Sequence, residues 1–139
     1  MAQILVGQLQ CVIVTPEKKA ADSTADFVVL TAHDGQIGIL PDHAPILCKL
    51  APGLLRIDLD QNKKYFFVCD GFAEVIDNRI TVLTQSAIPA EHLHEDEIIH
   101  EISEAQNLSA KTEQDYQNRQ SALKSARAKL ATLNEFKNI

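Results

Sequence analysis

Five histidines, three cysteines and nineteen carboxylates are the side chains here that could do chemistry. His92, His94 and His100 lie among Glu91, Glu95, Asp96 and Glu97, a run that invites a metal-site reading. Helix-borne zinc ligands sit four residues apart on one face. On a helix His92 and His94 would point about 200° apart, and His100 follows His94 by six residues. The spacing fits a solvated acidic helix face better than a metal centre. His33 and His43, with Asp34 and Asp42, flank a glycine-rich strand and suggest acid–base work. No nucleophile or orienting third group accompanies them. Gly35-Gln36-Ile37-Gly38 is too short and too apolar for a phosphate loop, and reads as two tight backbone positions beside a strand. Neither a GxxxxGK[ST] loop, a GxGxxG turn nor a GxSxG elbow occurs. Cys11, Cys48 and Cys69 lack CxxC spacing and sit among apolar residues, so all three are expected as reduced, buried thiols of a cytosolic protein. The chemistry-bearing residues thus point away from an enzyme and predict no catalytic residue, no cofactor and no metal.

The bulk properties agree. Of 139 residues 45% are hydrophobic, enough for a real core, while the net charge is −6 and Trp is absent. A nucleic-acid or anionic-membrane binder is usually basic, so neither partner is expected. The first six residues, Met1 to Val6, lack the basic region of a secretory leader. No apolar run approaches the roughly 20 residues of a spanning helix.

Two periodicities divide the chain. Through Ile88 it reads as short strands: Cys11 to Val14, Phe27 to Thr31, Leu55-Ile57-Leu59 alternating with Arg56-Asp58-Asp60, Tyr65 to Cys69, and Ile80 to Thr84. Asp34-Gly35, Pro41-Asp42, Pro52-Gly53, Asp70-Gly71 and Asp77-Asn78 supply turn signals between them. The pattern predicts an antiparallel β-sandwich over 1–88. From Ala90 onward there is no Gly, Pro or Cys. Ile98, Ile102 and Ala105 recur at helical spacing, Asn107 and Ser109 interrupt, and Tyr116, Leu123, Ala126, Leu130 and Leu133 form a second stripe. This predicts an antiparallel two-helix hairpin over 89–139, with Ser109 as the second N-cap. The first helix carries Glu91, Glu95, Asp96, Glu97, Glu101 and Glu104 without a Lys or Arg; the second carries Lys111, Arg119, Lys124, Arg127, Lys129 and Lys137. Opposite signs can pair across the hairpin, but exposed pairs contribute only about 0–1 kcal/mol. With so few large apolar anchors the hairpin must dock on its own sandwich or on a partner, and a weakly docked element is one that a partner can move.

One stretch is specific. Gly35-Gln36-Ile37-Gly38-Ile39-Leu40-Pro41-Asp42-His43-Ala44-Pro45-Ile46 resembles the G-x-x-G-[IV]-x-P-x-H-A-P-[LI] element of the epsilon-subunit family of bacterial F-type ATP synthases. Leu50-Ala51-Pro52-Gly53-Leu54-Leu55-Arg56-Ile57, Asp70-Gly71-Phe72-Ala73-Glu74-Val75 and Asn78-Arg79-Ile80-Thr81-Val82-Leu83-Thr84 resemble its next segments in order, and a Leu- and Ala-rich hairpin ends both. The resemblance implies a sandwich of about ten strands and a place in the rotor. There the sandwich binds the gamma subunit and the c-ring, coupling c-ring rotation to gamma during proton-driven ATP synthesis. It implies a peripheral position on the cytoplasmic face of the cell membrane. By alignment Gln36, Asp42 and His43 fall at the c-ring-facing end, with Asp34 nearby. Asp42 and Asp70 depart from glycines of the family. The hairpin is implied to extend into the alpha/beta catalytic hexamer and inhibit ATP hydrolysis, with Arg119, Lys124, Arg127 and Lys129 meeting acidic groups there. Some relatives bind ATP at an [IL]-D-x-x-R-A run; here the matching run has His94 for the aspartate and Glu97 for the arginine, and a carboxylate repels phosphate. On the residues alone an adaptor module, a β-sandwich with a helical docking tail, stays open.

Overall fold

The computed structural model describes residues 7–138; the first six, read above as free of a leader, and Ile139 lie outside the described residues. Seven strands come first: β1 Leu9–Val14, β2 Lys19–Ala25, β3 Phe27–Ala32, β4 Gly35–Ile39, β5 Ile46–Leu59, β6 Asn62–Ile76 and β7 Arg79–Pro89. They form one ladder in the order β2-β1-β7-β6-β5-β3-β4. Every pairing is antiparallel except that of β1 with β7, where Cys11 lies opposite Ile80 in a parallel register. All seven strands feed one core, from Leu9, Cys11 and Ile13 through Val28, Leu30 and Ile39 to Val68, Ile80 and Val82. The ladder therefore folds over itself into a sandwich.

Pro52-Gly53 and Asp70-Gly71 are not turns between strands, as their composition predicted, but bends inside β5 and β6. Pairing lapses there, between Lys49↔Phe72 and Gly53↔Val68, and resumes in the same register. Pro52 has no N–H to give the ladder, and Asp70 and Gly71 take φ values of 59° and 120°. β7 skips one pair opposite the bend, between Cys69↔Ser86 and Gly71↔Thr84. Counting each of these three bent strands twice turns seven into the ten expected. β2 has no counterpart in the sequence reading: its residues are polar or alanine, and only Ala25 is fully buried, as befits an edge strand. The Asp77-Asn78 turn follows its chemistry, with both residues left-handed (φ 49° and 63°), which suits a tight hairpin.

After one 3-10 turn, Ala90–His92, come α1 Glu95–Gln106 and α2 Glu113–Lys137. Ser109 is not the second cap: Thr112 is, accepting from the Asp115 backbone N–H at 3.0 Å. Thr112-x-x-Asp115 brings an acidic side chain to the first turn, and Ser109, three residues further back, only donates its hydroxyl to Asp115 Oδ2 at 3.3 Å. The helices run antiparallel, with Glu95 beside Lys137 and Glu101 beside Lys129. At that offset α1 ends opposite Ala122, so the first turns of α2 overhang it. Tyr116, expected on the buried stripe, is 46% exposed for this reason, whereas Leu123, Ala126 and Leu133 are buried.

Candidate functional site

The loop residues singled out by the sequence do not form one patch. Asp34 sits in the β3–β4 turn and Gln36 in β4 opposite Thr31. Gln36 and Thr31 share a recess of about 250 Å3 with Ala128, Thr132 and Glu135 of α2. Asp42 and His43 lie beyond the other end of β4, a strand about 16 Å long at 3.3 Å per residue. The resemblance groups Gln36, Asp42 and His43 with Asp34 nearby, whereas the extended β4 separates Asp34 from Asp42 and His43. At the far end, Asp42 takes φ 65°, its N–H donates to Asn78 Oδ1 at 2.6 Å, and Asn78 Nδ2 donates back at 3.2 Å. The ring of His43 bonds the Ala44 carbonyl at 2.7 Å. Asp42 thus ties the Pro41 loop to the β6–β7 turn. Leu40, 60% exposed, projects beside it.

A second surface went unread. Along β6, Ala73 and Val75 face the core while Phe72, Glu74 and Ile76 face out; along β7, Ile80, Val82 and Thr84 face in and Leu83 faces out. Phe72 and Leu83 are direct cross-strand neighbours, and both are more than half exposed. Leu47, on the outward side of β5, is 71% exposed. The signal was present: an apolar residue at an outward position of a strictly alternating strand has no reason to be there unless something covers it.

The hairpin docks on the other face of the bent strands. Leu54, Tyr65 and Phe67 of the sandwich pack with Leu93, Ile98 and Leu133, and the Tyr65 and Phe136 rings meet edge-on at 5.8 Å. Lys129 joins three elements: Nζ contacts both oxygens of Glu101 on α1 at 3.1 Å and lies 5.7 Å from the Phe67 ring centroid on β6. Its side chain is 20% exposed. Arg119, Lys124 and Arg127 form no ion pair among the described residues. At 100° per residue Lys124 and Arg127 are about 60° apart, and Lys129 points about 140° away from Lys124 and about 160° away from Arg127. The four basic candidates therefore divide into exposed Lys124 and Arg127, half-buried Arg119, and Lys129, which is already paired. Buried Nε of Arg119 has no partner in the described structure.

Only Cys11 matches the expectation of a core thiol. It is fully buried, and burial first, then the Asp22 charge, pushes it up to about 12. Cys48 and Cys69 are half-buried, with burial raising both. Cys69 falls at the docking seam, its Sγ 3.8 Å from Ser125 Oγ of α2. Cys48 packs on the margin of the sandwich core, and Cys69 on the seam with the helices.

His92 lies in the 3-10 turn and His94 is the N-cap of α1, so neither is on the helix that the spacing argument assumed. His94, Glu95 and Asp96 rim a shallow depression of about 520 Å3 with Leu133 and Lys137. Among the described residues no three His, Cys, Asp or Glu side chains are placed to share a metal ion. No helix there is long and apolar enough to cross a membrane.

The family profile described as ATP synthase, Delta/Epsilon chain, beta-sandwich domain matches residues 8–90. The ATP synthase epsilon chain of Rhodopirellula baltica is 37% identical over 122 residues, 88% of this chain and 95% of that one. The epsilon chain 2 of Ralstonia nicotianae is 33% identical over 124 residues, 87% and 89% of the two chains. Among solved structures, a chain of the Euglena gracilis mitochondrial ATP synthase superposes with a TM-score of 0.84 at 21% identity, covering 91% of this chain and 82% of its own. The sandwich, the matched profile and relatives aligned nearly end to end lead to one statement: the chain belongs to the ATP synthase delta/epsilon chain family.

Proposed function

We propose that the chain is a non-catalytic rotor subunit of an F-type ATP synthase: its sandwich grips the gamma subunit and the c-ring, and its hairpin restrains ATP hydrolysis. The observation that carries this reading is the division of the apolar surface. The sandwich has a complete core of its own and a separate outward strip, Phe72, Leu83 and Leu47, which fits an apolar partner such as the gamma subunit. The Leu40 to His43 loop, braced by Asn78, is the end suited to the c-ring. Rigid loop tips lose little entropy on binding. His33 and His43 stand at opposite ends of β4, which favours a subunit without an active site. The family's ATP synthases are membrane complexes, so the chain would sit peripherally on the cytoplasmic face.

The hairpin is bound by a modest apolar seam and Lys129, and it can leave without opening the sandwich core. Once released, it exposes Lys129 beside Arg119, Lys124 and Arg127 for acidic groups of the alpha/beta hexamer. Reconstitution with gamma and the alpha/beta assembly tests both halves of the proposal. A chain ending at Pro89 is expected to co-purify with gamma as the full chain does, while ATP hydrolysis rises by roughly fivefold or more, the scale of a regulatory coupling. Loss of gamma would sink the rotor assignment; unchanged hydrolysis would sink the restraint.

No nucleotide is proposed at the start of α1. Glu95, Asp96 and Glu97 occupy its first turn, where a helix N-terminus would otherwise favour phosphate. In a titration of the labelled chain with ATP, the amides of residues 93–98 are expected to stay put. Saturable shifts there at millimolar ATP would refute this.

A further inference from the structure

The ladder ends in two edge strands, β2 and β4, and the two differ. β2 carries Lys19 and Asp22, paired at 3.1 Å, and its register with β1 slips at Val14. Charges and irregularities are the usual means of turning a foreign strand away. β4 has neither: Gly35-Gln36-Ile37-Gly38-Ile39 holds no charge and no proline, and its register with β3 is unbroken. Ala32 and Gly35 close a two-residue turn, and bonded pairs alternate along the ladder from there. Gln36 and Gly38 therefore turn their N–H and C=O groups away from β3. Both residues are exposed, and among the described residues no backbone group of another element bonds to them. Ile39 is buried in the core and Ile37 packs against it, so the open edge is firmly anchored.

We propose that the free edge of β4 binds an extended segment of a partner protein as an added strand, and that this segment carries basic residues. The outward N–H and C=O groups of Gln36 and Gly38 supply the main-chain half of such a contact, and a pocket for alternate side chains supplies the other half. That pocket is the recess of about 250 Å3 over Thr31 and Gln36, closed on its far side by Ala128, Ala131 and Glu135 of α2. Charge selects the segment. Asp34 precedes β4, Asp42 follows it and Glu135 rims the recess; all three are exposed, and none forms an ion pair among the described residues. Arg56, on the same face, is already paired with Asp58. A neutral edge set among carboxylates fits a strand with Lys or Arg at its ends and its middle. A second copy of this chain fits less well, because antiparallel pairing of two β4 edges brings the Asp34 end of one copy to the Asp42 end of the other. The contact leaves Phe72, Leu83 and Leu47 free and does not rest on the rotor reading.

The probe is a synthetic peptide of about nine residues, long enough at about 3.3 Å each to reach from Asp34 to Asp42, with Arg at both ends and the centre and Val and Thr between. Titrated into the 15N-labelled full chain, it is expected to give saturable shifts at the Gln36 and Gly38 amides. Their exchange with solvent should slow roughly tenfold or more at saturation, while the Leu30 and Ile37 amides, already in the ladder, keep their rates. Glu in place of each Arg should raise Kd roughly tenfold or more. Methylating alternate peptide nitrogens separates an added strand from loose charge pairing: one alternate set should abolish binding, and the other should leave Kd within about twofold. Asp34→Asn with Glu135→Gln should weaken the Arg peptide roughly fivefold or more, whereas Glu17→Gln with Glu91→Gln, the same change of charge away from β4, should cost less than about twofold. Absence of saturable shifts at Gln36 and Gly38 overturns the proposal, as does an equal effect of the two methylation patterns or of the two double variants. Movement of those two amides on dilution of the chain alone would make a second copy the occupant and overturn it as well.

Discussion

Gly71→Ala is expected to destabilise the chain by about 3 kcal/mol or more, the largest effect of any single methyl group here. A Cβ at Gly71 would lie 1.9 Å from the Leu83 carbonyl oxygen and 2.8 Å from Thr84 Cα, both backbone of the neighbouring strand. Neither atom can swing aside as a side chain can. The residue also sits at φ 120°, a conformation that side chains rarely adopt. Relief requires β6 and β7 to separate where β6 bends between the layers. Urea unfolding followed by circular dichroism should show a midpoint lowered by about 1 M or more, given the usual slopes for small proteins. Asp70→Gly is the control. Asp70 takes φ 59°, which glycine reaches freely, so this change should stay within about 1 kcal/mol. A Gly71→Ala protein with an unshifted midpoint would refute the packing of β7 against the bend.

On the proposal that the hairpin restrains ATP hydrolysis, oxidised Ser125→Cys is expected to lift that restraint completely, to the level of a chain ending at Pro89. Cys69 Sγ already lies 3.8 Å from Ser125 Oγ, and a small rotation brings two sulfurs to the roughly 2.05 Å of a disulfide. Such a bond ties α2 to β6 in the docked pose and denies Arg119, Lys124, Arg127 and Lys129 any reach beyond the sandwich. Reduction should restore inhibition, so one preparation supplies both states. Cys11 does not interfere, being buried with its thiol pushed up to about 12; Cys48, half-buried on β5, is best replaced by Ser. The measurement is ATPase activity of the assembled alpha, beta and gamma subunits with each redox form, with closure of the bond read by mass. Full inhibition by the oxidised protein would exclude release of the hairpin as the inhibitory step.

Much of this architecture was legible in the residues. The change of period near Pro89, the Asp77-Asn78 hairpin and the Ile98, Leu123 and Leu133 stripes follow from local chemistry, and local chemistry is what a chain displays. What escaped was non-local. Pro52-Gly53 and Asp70-Gly71 look like turns, and only the pairing partners on either side show that the strands continue through them. β2 escaped because an edge strand of alanines and polar residues has no large apolar alternation to detect. Tyr116 was misplaced because α1 stops short, a matter of the neighbour's length and not of α2's own pattern. The loop candidates illustrate the same limit: the resemblance groups Asp34 with Asp42 and His43, but β4 holds the two ends apart. Phe72 and Leu83 were within reach, since an outward apolar residue violates alternation, yet the violation means something only after the inward face is known.

The parallel match of β1 to β7 has a consequence for synthesis. Cys11 and Ile13 wait for Ile80 and Val82, while the hairpins β3–β4 and β5–β6 can zip from local contacts. At about 5–20 residues per second a ribosome delivers the missing partner roughly 4–14 s after β1 emerges. During that interval β1 has only its polar neighbour β2 on one side and a bare hydrogen-bonding edge on the other, the geometry that invites foreign strands. Translation arrested before Arg79 would leave that edge open for as long as the arrest lasts.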